Sequence, residues 1–122
     1  MTKEAALYSF FSNFGLPAFE ENSVPSQQEF PYLTYELATS DFDHPVPIAV
    51  SLWFRSTSWL AANLKARQIS TAISRGGVTI PCDNGAIWIT RGEPFVRSSG
   101  DGSDSEVKRK LLNLTVEFFT ED

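Results

Sequence analysis

At 122 residues, 42% hydrophobic and 20% charged, the chain has the size and composition of one soluble domain that buries a real core. A net charge of −5 with a pI near 4.8 argues against nonspecific gripping of nucleic-acid phosphates, which needs a basic surface, though it is compatible with DNA that merely passes the protein. No apolar run approaches the roughly 20 residues of a membrane span, and a lone Cys82 cannot form an internal disulfide.

Lys3 and Glu4 open the chain with no apolar leader behind them, so a cytoplasmic origin is expected. Thr2 is placed to cap a first helix, Thr2–Phe14, with Leu7, Phe10, Phe11 and Phe14 at helical spacing and Gly15 and Pro17 after it. The aromatic stripe reads as core. Residues Ala18–Glu29 lack periodicity and read as a loop. Glu20, Glu21 and Glu29 have no histidine or cysteine beside them, which makes a solvated loop a better reading than a metal site. Tyr32–Leu37 is a strand of aromatic and β-forming residues. A second loop, Ala38–Pro47, carries the only histidine. His44 beside Asp43 suggests an acid–base pair, and Asp41, Asp43 and His44 together suggest metal ligands, but a surface loop accounts for them better.

The centre of the chain, Ile48–Asp83, reads as strand, helix, strand. Ile48, Val50, Leu52 and Phe54 alternate with Ala49, Ser51, Trp53 and Arg55, the period-2 pattern of a strand with one apolar face. Thr57 or Ser58 is expected to cap a helix over Ser58–Arg75 that Gly76-Gly77 ends. Trp59, Ala62, Ala66, Ile69 and Ile73 share one side of it. Leu60 and Leu64 fall on the far flank beside Arg67 and Thr71. They pack either under a loop or the first helix, or against another subunit. Val78–Ile80 resumes an extended run. Asp83-Asn84-Gly85 is a hairpin signal.

Ala86–Arg91 is the next strand, and Phe95–Arg97 restarts it after Gly92-Glu93-Pro94, as across a bulge. Residues 98–106 are expected to be a mobile polar loop. Asp101, Asp104 and Glu106 lack the spacing of a calcium loop. Lys108, Arg109 and Lys110 begin the last strand, Val107–Phe119, and either balance the loop's charge or meet a phosphate. Leu112, Leu114, Val116 and Phe118 point one way along it, and Leu111, Asn113, Thr115 and Glu117 the other. No catalytic triad, phosphate loop, HExxH or CxxC motif occurs, so no catalytic, cofactor or metal residues are assigned and an enzyme is not expected.

These elements define an α+β fold: one domain over 1–122, a two-layer sandwich of a mainly antiparallel, mixed sheet with two helices on one face. The expected core is Phe10, Phe14, Val50, Leu52, Phe54, Ile69, Ile73, Leu112, Leu114 and Val116. The far sheet face is expected to carry Ser51, Trp53, Arg55, Asn113, Thr115 and Glu117. An exposed Trp–Arg pair there has the composition of an interface centre, unless the chain's own termini cover Trp53.

The helix followed by Leu16-Pro17-Ala18-Phe19-Glu20-Glu21, Val24-Pro25 and Pro31-Tyr32-Leu33-Thr34-Tyr35 resembles the opening of tail terminator proteins of tailed bacteriophages and prophages, also called tail completion or minor capsid proteins. The likeness runs on through strand Ile48–Arg55, the capped helix and the closing strand after a polar loop. It implies a virion structural protein of the tail or neck, assembled in the host cytoplasm. Such a protein forms a homo-oligomeric, hexameric ring that ends tail-tube polymerisation. Its implied partners are the tail tube protein and the head–tail connector protein, with DNA passing unbound and no membrane contact. Trp53, Arg55, Leu60, Leu64, Arg67, Thr115 and Glu117 are the candidate subunit interface. Asp101, Asp104 and Glu106 are the candidate lumen- or tube-facing loop. A head-closure protein of the same neck is the near alternative. A small cytoplasmic ligand-binding or enzymatic α+β domain is the other.

Overall fold

The structure, a computed structural model, describes residues 1–39 and 41–121, with the side chain of residue 101 left aside. Its elements are α1 (Lys3–Ser12), β1 (Ala18–Glu20), a 3-10 turn (Glu21–Ser23), β2 (Tyr32–Leu37), β3 (Val46–Arg55), α2 (Leu60–Ile73), β4 (Val78–Cys82), β5 (Gly85–Asp101) and β6 (Asp104–Thr120). The strands form one six-stranded sheet in the order β1-β2-β3-β6-β5-β4, antiparallel except for the β1–β2 pair. It is an α+β fold, and the sheet curls into a half-barrel. The curl brings both edge strands, β1 and β4, against α1, while α2 lies on the central β3, β6 and β5.

The strand parity set by β3 holds across the sheet. Ile48, Val50 and Leu52 face the helices, opposite Leu114, Leu112 and Lys110 of β6. Ala6, Leu7, Phe11 and Phe14 of the first helical segment and Ala62, Ala66, Ile69 and Ile73 of α2 close the same cluster, so both helices share one core on one face of the sheet. All the expected core residues are buried except Phe10, which is half-buried and packs on the cluster's rim. The small Ala62 and Ala66 let α2 approach the sheet closely.

The two helix starts differ. The Thr2 side chain caps α1 by accepting from the Ala5 N–H at 3.1 Å. α2 starts at Leu60 rather than at Ser58, and its N-cap is Trp59, which makes no side-chain cap; the Ser58 hydroxyl accepts from the Leu60 N–H at 3.1 Å from just outside the helix. The helix stops differ from expectation. α1 ends at Ser12 with Asn13 as its cap, before Gly15, and α2 ends at Ile73. Ser74 itself takes a left-handed φ of 63°, ahead of the glycine pair. Gly77 serves instead to let Trp88 lie against the chain: a Cβ there would stand 2.6 Å from the Trp88 indole nitrogen.

Three segments expected to be loop are strand. Ala18–Glu20 pairs in parallel with β2, Val46-Pro47 extends β3 against Val116 and Thr115, and 98–101 with 104–106 prolong the β5–β6 hairpin. The hairpin turns at Gly102–Ser103. The bulge is where the sequence placed it: pairing jumps from Arg91↔Leu114 to Val96↔Leu112, so Gly92–Phe95 stand against Asn113 alone. The Asn113 side-chain amide fastens the bulge by donating to the Pro94 carbonyl at 2.9 Å.

Candidate subunit interface

The sheet face away from the helices carries a cross-strand row. Register sets Tyr32 beside Trp53 and Trp53 beside Arg109. The Tyr32 and Trp53 rings stack with centroids 6.1 Å apart, and the Arg109 guanidinium lies 4.7 Å from the Trp53 ring centre on the next strand. Trp53 Nε1 donates to the Thr34 hydroxyl at 3.0 Å. Arg109 donates from Nε and Nη2 to the Ser51 hydroxyl at 3.1 and 2.9 Å, and both hydroxyl residues are buried beneath the larger side chains. Trp53 is therefore half-buried, and its neighbours on the sheet cover it rather than the chain termini. Its cationic partner is Arg109 rather than Arg55.

Arg55 is engaged elsewhere. It pairs with Asp104 at 2.7 Å and with Glu106 at 3.9 Å, and its guanidinium lies 5.2 Å from the centre of the Phe30 ring. The Asp104 carboxyl is held below its ordinary range by the Glu106 backbone N–H and by Arg55. Two of the three expected lumen-facing acids are thus tied to the end of β3. The side chain of the third, Asp101, lies outside the described part of the structure. Thr115 and Glu117 share the far face with Asn113 and are half-buried.

The basic run splits between the two faces. Lys108 and Lys110 face the helix layer, with ammonium groups 5.6 and 5.2 Å from the centre of the Trp59 ring, while Arg109 faces outward. Lys110 also donates to the Ser98 hydroxyl at 2.6 Å. His44 pairs with Asp41 at 2.9 Å rather than with Asp43, whose N–H also donates to Asp41. That N–H, followed by His44, lowers the Asp41 carboxyl. Among the described residues no group of three or more His, Cys, Asp and Glu side chains is placed to hold a metal ion, and no helix is long and apolar enough to cross a membrane.

Leu60 and Leu64 pack under nothing. They are 64% and 53% exposed, one turn apart on the side of α2 opposite its buried stripe. The loop or first helix that might have covered them lies elsewhere, because α1 is drawn to the sheet edges. Beside this ridge, Asn63, Ala66, Arg67 and Ser70 of α2 face Phe95 and Val96 across a groove of about 320 Å³. Arg91 donates to the Ser70 hydroxyl at 2.9 Å.

A second surface escaped the sequence reading. Glu4 of α1 and Glu20 of β1 stand at a cavity of about 230 Å³ lined also by Leu7, Tyr35, Leu37 and Phe42. Burial raises the Tyr35 hydroxyl, and the nearby Glu20 and Tyr8 raise it further, so these groups converge there. Tyr8 is 52% exposed. Next to them the Glu21 carboxyl is raised, first by a hydrogen bond shared with Glu36 and then by burial. The available signal was the i,i+4 pair Glu4 and Tyr8 on α1. Nothing in the sequence places β1 beside it.

Trp53→Ala is the direct test of the far-face row. The variant should stay folded, losing about 0.5–1.5 kcal/mol for its aromatic pairing beyond the buried area. It should also change the assembly state read by light scattering. Unchanged assembly with intact folding removes the row from the interface.

No family model, no curated protein and no solved structure matches the chain.

Proposed function

We propose that this chain is a structural protein rather than an enzyme: a subunit of the ring that caps the tail tube of a tailed bacteriophage or prophage. In this reading six copies close a ring, end tube polymerisation and join the tail to the head connector, and DNA passes through without specific binding. Its place is the tail or neck of the virion. The observation that carries the reading is the exposed Leu60–Leu64 ridge, two large apolar side chains left in solvent on a helix whose opposite face is fully packed. The α+β fold, one curled mixed sheet with two helices, is compatible with it.

Electron microscopy and sedimentation of the purified protein over a wide concentration range, alone and with tail tubes, test it. Rings, free or seated on tube ends, are the expected result. A monomer at every concentration that ignores tubes overturns the proposal and favours a small ligand-binding domain.

A further inference from the structure

We infer that the outward ridge of α2, with Leu60, Leu64 and Arg67, together with Arg75 just past the end of the helix, docks head to tail on the Glu4–Tyr8–Glu20 margin of a second copy. This inference rests on the ring reading and names the two surfaces that meet.

The argument begins with charge that the chain does not pair within itself. In a protein of net charge −5, the stretch Leu60–Arg75 contains Lys65, Arg67 and Arg75 and no carboxylate. Lys65 is used internally, donating to the Phe14 carbonyl at 2.5 Å and to Gln68 at 2.9 Å. Arg67 and Arg75 are exposed and have no acidic partner among the described residues. The complementary surplus lies on α1 and β1, where Glu4 and Glu20 are likewise exposed and unpaired among the described residues. Three other acids are paired within the chain: Asp83 holds the N-terminal ammonium at 2.8 Å, and Asp104 and Glu106 hold Arg55.

Each surface pairs its charge with exposed apolar area, Leu60 and Leu64 on one and Tyr8 on the other. Apolar burial supplies affinity. Matched charge supplies orientation and rate of encounter.

Symmetry decides how two copies meet. A two-fold contact of ridge on ridge sets Arg67 and Arg75 against their own copies, and margin on margin sets Glu4 and Glu20 against theirs. Both oppose like charges. Ridge on margin satisfies both sets, and this contact is heterologous, so it repeats from copy to copy and closes into a ring when the rotation closes.

The test uses two doubly reversed chains, Arg67→Glu with Arg75→Glu, and Glu4→Lys with Glu20→Lys. All four positions are exposed, so both variants should stay folded, with only a small fall in melting temperature from losing the Glu4 carboxylate in the first turn of α1. In sedimentation each alone should associate at least about tenfold more weakly than wild type, because every contact now opposes like charges. An equimolar mixture should rebuild rings of alternating copies, since each reversed ridge meets a complementary margin. Rings formed by either variant alone overturn this contact and leave the ring reading intact. Loss of rings with no recovery on mixing also overturns the contact. A wild-type chain that is monomeric throughout overturns both.

Discussion

Leu52→Ala is expected to lower the free energy of unfolding by about 2–5 kcal/mol, the range for deleting a fully buried leucine side chain and leaving a cavity. The position explains the size. Leu52 is 0% exposed on β3, paired with Leu33 of β2 on one side and Lys110 of β6 on the other, with the helix layer over it. Its neighbours along the inward face, Val50 and Phe54, are fixed by the same strand and cannot slide into the gap without shifting the register. Leu60→Ala is the control. It removes the same atoms from a side chain 64% exposed, so no cavity forms and the change should stay within about 0.5 kcal/mol. Urea denaturation reads both. A Leu52→Ala midpoint near that of wild type would mean that the inward face of β3 is not the packed face. Leu60→Ala should instead show itself in association, where it removes part of the proposed ridge.

Much of this architecture was legible because local chemistry and tertiary packing agree. β2 runs Tyr32–Leu37 as its aromatic and β-branched residues indicate, and the alternation in β3 gives the buried face directly. The Gly92-Glu93-Pro94 interruption marks a bulge since Pro cannot donate to a ladder. What stayed hidden depends on partners distant in sequence. β1 has three residues, too few to show a period, and is a strand only because β2 offers it a parallel edge. Ser98–Gly100 is polar and glycine-containing, which describes side chains, while strand formation there is decided by backbone groups of Arg109 and Lys110 across the hairpin. The same holds for the candidate surfaces. Exposure of Leu60 and Leu64 follows from where α1 goes, and α1 is held by a sheet whose curl no single segment encodes. Trp53 was visible as an unusual outward residue, but its pairing with Arg109 rather than Arg55 is a matter of register between β3 and β6. The Glu4–Tyr8–Glu20 margin needs β1 in place before it exists at all.

Gly85→Ala is expected to damage the fold at a single backbone point, and the mechanism is independent of side-chain packing. The β4–β5 hairpin turns through Asp83-Asn84, with Asn84 at φ 64°, and Gly85 at φ 154° then pairs with Cys82 on one side and Thr120 of β6 on the other. A Cβ at Gly85 would stand 1.8 Å from the Phe119 carbonyl oxygen and 2.9 Å from its carbon. Those are backbone atoms of the strand that anchors both β3 and β5, so they cannot yield as a flexible side chain would. Alanine therefore meets an unfavourable φ, worth roughly 1–3 kcal/mol, and a contact relieved only by separating the start of β5 from the end of β6. The separation spreads. Asp83 in the turn accepts from the N-terminal ammonium at 2.8 Å and donates its backbone N–H to the Met1 carbonyl at 2.6 Å, so displacing the turn also loosens the start of α1. Hydrogen exchange should show protection lost first in β4, the first residues of β5 and the last of β6, together with a lower melting temperature. Gly100→Ala, at a glycine whose added Cβ would meet no heavy atom within 4 Å, should leave stability within about 0.5 kcal/mol of wild type. Wild-type stability and exchange in Gly85→Ala would show that β5 does not run this close to the end of β6, and the sheet edge next to β4 would have to be drawn differently.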